Sequence, residues 1–142
     1  VSAAARIEFV DAPDEEQIGA VLNIIGEAAE RQRPGANYRS YGFLLKDETG
    51  KIIGGLTGYA LYEWMFVQYL SVAEEARGQG LGEALIGRAE AWGRERGLGG
   101  MWPETFDFQA PDFYRKVGFV EFGAIEDHPA GSRRIFFQKR FS

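Results

Sequence analysis

The stretch "AEEARGQGLGEALIGRAEAWGRERG", residues 73–97, decides how this chain is read. Gly78, Gly80 and Gly82 stand on alternate positions and Gly87 follows, in a run that otherwise reads as a charged helix. Each glycine inside a helix costs about 1 kcal/mol relative to alanine, so a cluster at a helix start needs a purpose. The preceding "WMFVQYLSV" (64–72) has high β-propensity and runs directly into the glycines. A strand, a glycine turn and a helix together present unpaired backbone amides at the positive end of a helix dipole, an arrangement suited to a phosphate or pyrophosphate. Glycine removes the Cβ atoms that would block the anion. The dinucleotide pattern G-x-G-x-x-G fails, because the sixth position is Glu83 counted from Gly78 and Leu85 counted from Gly80. The P-loop pattern fails too, since no Gly-Lys-Ser/Thr follows.

Outward from this stretch, the helix carries Leu81, Leu85, Ala89 and Trp92 at helical spacing and stops near Gly97. "RIEFV" (6–10) alternates as a short strand, and Asp14 is placed to cap a helix running to about Ala29. The pattern breaks at Pro34-Gly35. "YGFLLKDETGKIIGGLTGYAL" reads as two strands joined by an "ETG" turn. "GGMWPETF" makes a strand ending near Thr105, Pro111 opens a short helix through Val117 closed by Gly118, and "FVEFGAI" and "RRIFFQKRF" supply two last strands. The order is strand, one or two helices, three strands, helix, strand, helix, two strands. That is an α/β chain of the α+β kind with a mixed sheet, whereas a doubly wound nucleotide fold alternates strand and helix from the start.

The composition narrows the function. A chain of 142 residues, 45% hydrophobic and 14% aromatic, with no repeat, linker or low-complexity segment, predicts one domain over residues 1–142. Apolar runs such as "WMFV" are far shorter than the roughly 20 residues of a membrane span, and "VSAAARIEF" lacks a signal peptide's apolar run. The expectation is a soluble, cytoplasmic protein with no membrane partner. With no cysteine and His128 as the single histidine, thiolate nucleophiles, cysteine zinc sites and histidine clusters drop out, and no metal is expected. The net charge of −5 argues against a nucleic-acid partner; Arg133, Arg134, Lys139 and Arg140 read as a solvated strand flank.

The spacing that does fit is R-x-x-G-x-G, as Arg77, Gly80 and Gly82. This resembles the pyrophosphate signature of the GNAT N-acetyltransferase superfamily. "DFQAPDFYRKVGF" is similar to that family's second signature, N-x-x-A-x-x-F-Y-x-K-x-G-F, through Ala110, Phe113, Tyr114, Lys116, Gly118 and Phe119, with Asp107 in place of the asparagine. The resemblance covers residues 65–125 by motif and the rest by element order, and suggests a small bacterial-type member. It implies a β-α-α-β-β-β-α-β-α-β-β fold with a splayed central sheet and acetyl-CoA as cosubstrate. The cofactor contacts it implies are Leu70, Ser71 and Val72 for the pantetheine arm, the turn Arg77, Gly78, Gln79, Gly80, Leu81, Gly82 and Glu83 for the pyrophosphate, and Asp107 and Tyr114. Tyr114 stands where the family places its leaving-group acid.

Transfer to an amine needs a neutral nucleophile and a proton for the departing thiolate. The absence of cysteine favours direct attack in a ternary complex over a cysteine-bound acetyl carrier. Glu104, near the end of the "MWPETF" strand and beside the expected splay, is the first candidate base, with Glu63 and Asp107 in reserve. Some relatives have a glutamate where this chain has Gln68, and an amide cannot serve. His128, in "EDHPAG", reads as a surface histidine, and Tyr62, Trp64 and Trp102 as core or acceptor-pocket aromatics. The acidic balance favours a cationic small-molecule amine as acceptor. A protein N-terminus or lysine is the alternative acceptor, a non-catalytic CoA-binding sensor is the alternative function, and a homodimer is an open assembly.

Overall fold

The structure is a computed structural model and describes residues 4–142. The chain divides into two compact units, Val1–Ala36 and Asn37–Ser142.

The first unit holds helix α1, Glu15–Gln32. The Asp14 carboxylate accepts from the Gln17 N–H at 2.8 Å and the Gln17 side chain accepts from the Asp14 N–H at 3.0 Å, a reciprocal cap that satisfies two otherwise orphaned donors. Ile18, Val21, Leu22 and Ile25 recur at helical spacing, and no residue of α1 is buried. Two expectations change here. "RIEFV" is irregular chain rather than a strand: alternation fits a segment for pairing but supplies no partner, and Ile7 and Phe9 are exposed. A second helix does not form either. The chain after α1 passes Pro34 and then Gly35 and Asn37 at φ +94° and +50°, values outside helical space.

The second unit is a six-stranded mixed sheet of β1 (Arg39–Lys46), β2 (Ile52–Leu61), β3 (Trp64–Val72), β4 (Gly100–Phe106), β5 (Val120–Glu126) and β6 (Arg133–Arg140). Their order is β1-β2-β3-β4-β6-β5, with only β3 and β4 parallel. Helix α2 (Leu81–Glu95) connects those two, and α3 (Pro111–Lys116) follows β4. The β1–β2 hairpin turns at Asp47, whose carboxylate accepts from the Thr49 and Lys51 N–H groups at 2.8 and 3.1 Å. Leu85, Ile86 and Ala89 of α2 and Tyr114 of α3 share one core with Leu56, Met65, Val67, Met101, Ile135 and Phe137, which fixes the sheet face that both helices cover. No helix among the described residues is long and apolar enough to cross a membrane.

One irregularity positions the site. In the β2–β3 ladder Gly58 pairs with Val67 and Thr57 with Tyr69, which leaves Gln68 as an extra, bulged residue. The insertion keeps Leu70 and Val72 on the same core face as Met65 and Val67 although the count between them is odd. Tyr41 donates to the Phe66 carbonyl at 2.8 Å just before the bulge. Gly58 leaves room for that carbonyl, because a Cβ there would collide with the Phe66 oxygen and lie 2.9 Å from the Tyr41 hydroxyl. Gly58→Ala is therefore expected to destabilise the fold by about 1–3 kcal/mol, the usual range for overpacking, read from the midpoint of urea unfolding at unchanged slope.

Candidate active site

The parallel β3–β4 ladder runs from Trp64 opposite Gly100 to Val67 opposite Pro103 and stops. Beyond it each strand follows its other neighbour: β3 stays on β2 to the Gly54–Val72 pair, and β4 stays on β6 through Glu104–Phe136, Thr105–Ile135 and Phe106–Arg134. The sheet therefore splays at the Gln68 bulge, and the β3 edge from Gln68 to Val72 faces a gap instead of a strand. A cleft of about 970 Å³ fills the gap, lined by Gln68 to Val72 on one arm and by Glu104 to Phe106 on the other. Ala110, Phe113 and Tyr114 line it from the α3 side. The predicted contacts Leu70, Ser71 and Val72 lie together on its β3 wall.

The glycine turn closes one end. Gly80 is the residue before α2, at φ +75° and ψ +14°, and no side chain caps the helix. The first helical bond runs from the Ala84 N–H to the Gly80 carbonyl at 3.0 Å, so the N–H groups of Leu81, Gly82 and Glu83 have no acceptor within the helix. Arg77 donates from Nε to the Val72 carbonyl at 2.9 Å, tying the turn to the end of β3. A recess of about 210 Å³ lies over this turn, lined by Arg77, Gly78, Gly80, Leu81, Gly82, Glu83 and Lys116, and it shares Val72, Arg77, Gly82 and Phe113 with the cleft. Lys116, a position of the second motif, adds a cation to the recess. Gln79 is exposed and lines neither space. Glu83 brings a carboxylate to the recess beside its own N–H, which has no acceptor within the helix.

Tyr114 is held by the short helix that Pro111 opens. The Thr105 hydroxyl accepts from the Ala110 N–H at 3.4 Å, and Gln109 Oε1 accepts from the Phe106 N–H at 3.1 Å, which joins the helix start to the end of β4. The ring packs at 5.3, 5.6 and 5.7 Å from the centroids of Phe113, Phe119 and Phe137. Burial pushes the Tyr114 hydroxyl up to about 12, because a phenolate would lose its hydration there. It stays neutral, and so a donor, through the neutral and mildly alkaline range.

Alternation along β4 puts Met101, Pro103 and Thr105 on the helix-covered face and Trp102, Glu104 and Phe106 on the opposite one. The cleft thus passes through the sheet, with the glycine turn and Tyr114 approached from one face and Glu104 from the other. Glu104 forms an ion pair with Arg134, which lines the cleft instead of standing as a solvated strand flank. Tyr69 and Phe108, 67% and 63% exposed, stand among the cleft residues, and Phe108 stacks on Phe106 at 5.3 Å. The remaining candidates lie elsewhere. Asp107 is bound to β6, accepting from the Arg133 N–H at 3.0 Å through its carboxylate, and does not line the cleft. Glu63 sits at the closed end of the β3–β4 ladder, where its carbonyl accepts from Gly99, with Tyr62 and Trp64 beside it. Trp102 stacks on Phe66 at 4.1 Å in the paired part of the sheet. Among the described residues no cluster of histidine, aspartate and glutamate is arranged to hold a metal ion.

A model of the Acetyltransferase (GNAT) family matches residues 8–119 of the chain. Blasticidin-S acetyltransferase of Streptomyces morookaense is 48% identical over 85 residues, 59% of this chain and 62% of that protein, so the match spans less than two thirds of the relative. An acetyltransferase of Agrobacterium fabrum is 31% identical over 103 residues, 72% of this chain and 75% of that one. A crystal structure from Agrobacterium tumefaciens, assigned as an acetyltransferase, superposes with a TM-score of 0.91 at 26% identity, covering 96% of this chain and all of the other.

Proposed function

Because the chain belongs to the Acetyltransferase (GNAT) family, we propose that it transfers an acetyl group from acetyl-CoA to the primary amine of a small molecule, by direct attack in a ternary complex. The observation that carries this reading is the cleft through the splayed sheet, which joins an anion cradle on one face to a carboxylate on the other. The small-molecule acceptor is supported by the name of the Streptomyces morookaense relative, and its positive charge by the chain's net charge of −5. The reading takes residues 1–142 as one cytoplasmic acetyltransferase; the family match starting at residue 8 supports counting the first unit with the second.

The residues fit the cosubstrate. The uncommitted amides of Leu81, Gly82 and Glu83 suit a pyrophosphate, and above Gly78 and Gly80 a Cβ would meet no protein atom within 4 Å, which leaves the approach open. Arg77 and Lys116 supply positive charge at the same place. The β3 edge from Leu70 to Val72 has no β4 partner and offers an extended arm the backbone groups on its open side, with the Val72 carbonyl already accepting from Arg77. Acetyl-CoA brings the activated thioester. Tyr114, a neutral phenol within the cleft, donates a proton to the departing sulfur. Glu104, on the opposite face, accepts the proton that an ammonium must lose before it attacks, directly or through water.

CoA is expected to raise the melting temperature, since a ligand present at 100 times its dissociation constant adds about 2.7 kcal/mol to stability. NAD and ATP should raise it far less. A comparable shift with NAD overturns this reading of the glycine turn, and thiol release across a panel of small amines then tests the acceptor.

A further inference from the structure

The proposed base is not free in this structure, and what holds it bears on how an acceptor binds. Phe106 pairs with Arg134 and Glu104 with Phe136 in the β4–β6 ladder, so Glu104, Phe106 and Arg134 project from the same sheet face, the one opposite α2 and α3. The Arg134 guanidinium forms an ion pair with Glu104 and lies 5.6 Å from the centre of the Phe106 ring. Its Nη1 stands 3.4 Å from Nε2 of His128, which can only accept from a guanidinium. Glu104, Phe106 and Arg134 all line the cleft. A carboxylate beside an aromatic face is a cation site, and here the chain's own arginine fills it. The pair is partly wet, with 33% of the Arg134 side chain and 20% of Glu104 exposed, so exchanging one cation for another there changes the free energy little.

We propose that Arg134 is a displaceable placeholder that sets acceptor selectivity: a cationic amine binds by taking Glu104 and the Phe106 face from it. The exchange frees the carboxylate only when an ammonium is in contact with it, ready to pass one N–H proton to a Glu104 oxygen. The acceptor class it selects is an ammonium carried on an apolar or aromatic framework, since Tyr69 and Phe108 present exposed rings in the same cleft. This rests on the acetyltransferase reading for the face from which the acceptor enters.

The test uses the full chain with saturating CoA and a matched pair of probes, phenethylammonium and neutral 2-phenylethanol, titrated by NMR. Arg134→Ala is expected to bind phenethylammonium about fivefold tighter than wild type, the factor for losing a competing ion pair of roughly 1 kcal/mol, with 2-phenylethanol unchanged. Arg134→Lys keeps the placeholder and should stay near wild type, and Glu104→Gln should remove the preference for the ammonium. Where Arg134→Ala does not fold, Arg134→Gln carries the same expectation. Equal or weaker ammonium binding in the charge-removed variant, or an equal gain for both probes, overturns the proposal. A missing CoA melting shift in the wild type overturns the acetyltransferase reading instead, and the probe comparison still decides the role of Arg134.

Discussion

Tyr114→Phe is expected to lower turnover by roughly 10²- to 10⁴-fold, the usual contribution of one positioned general acid, while CoA affinity stays within about twofold. The substitution removes one hydroxyl and keeps the ring that packs against Phe113, Phe119 and Phe137, so the fold should lose no more than about 1 kcal/mol. The pH profile separates this role from that of a base. Burial raises the phenol to about 12, and a raised phenol is the neutral form stabilised. Tyr114 therefore remains a donor from about pH 6 to 10 and adds no alkaline loss in that window. The rate should rise with pH in wild type and in Tyr114→Phe alike, as the amine loses its proton, with the variant displaced downward throughout. Glu104→Gln should instead change the shape of the rise, because deprotonating the amine becomes limiting. Steady-state rates across that range decide the matter, and a Tyr114→Phe enzyme within twofold of wild type removes Tyr114 from the chemistry.

Gly82→Val is expected to weaken CoA binding by roughly 10²-fold, more than Arg77→Ala does. Gly82 lies in the first turn of α2, where its own N–H and those of Leu81 and Glu83 have no helical acceptor. Gly82 and Phe113 both line the recess over these amides, so a branched side chain at Gly82 crowds that ring and the space beside it. Losing one or two bonds to a charged group, at about 1.5–3 kcal/mol each, accounts for that factor. Arg77→Ala leaves the amides in place and removes a side chain that already spends its Nε on the Val72 carbonyl. A Cβ at Gly82 would come within 3.3 Å of the Phe113 ring, so that ring must move by a few tenths of an ångström. Gly82→Ala makes the milder version of the same test. Gly80→Val should weaken binding too, but at φ +75° it also strains the backbone, which makes Gly82 the cleaner position. Calorimetry showing full affinity in Gly82→Val would put the pyrophosphate elsewhere.

The glycine turn and the Tyr114 helix were legible because their requirements are local. A left-handed residue before a helix, an open approach to orphaned amides and a proline at the first helical turn are all written within a few neighbouring residues. The strands from Arg39 onward were legible for a similar reason, since high β-propensity runs lie between turn signals such as the Asp47–Gly50 bend. Residues 6–10 show where that signal stops. Alternation states that a segment can pair, and pairing itself depends on an edge that the segment does not contain. Asp107 adds what its motif position alone does not give: one of its carboxylate oxygens accepts from the Arg133 N–H of β6, a partner far along the chain.

By itself, then, the sequence determined the class of fold, the order of its second unit and the place of the glycine turn before α2, because each follows from interactions between near neighbours along the chain. The family resemblance placed a splay beside Glu104, and the tertiary structure fixed its residue, since that point depends on the Gln68 bulge against β2 and on the last β3–β4 pair at Val67 and Pro103. It also decided the state of Glu104. Its partner Arg134 lies on a different strand, brought beside it by the β4–β6 register and the shared face of the pleat, and register between distant strands is fixed by packing across the whole sheet.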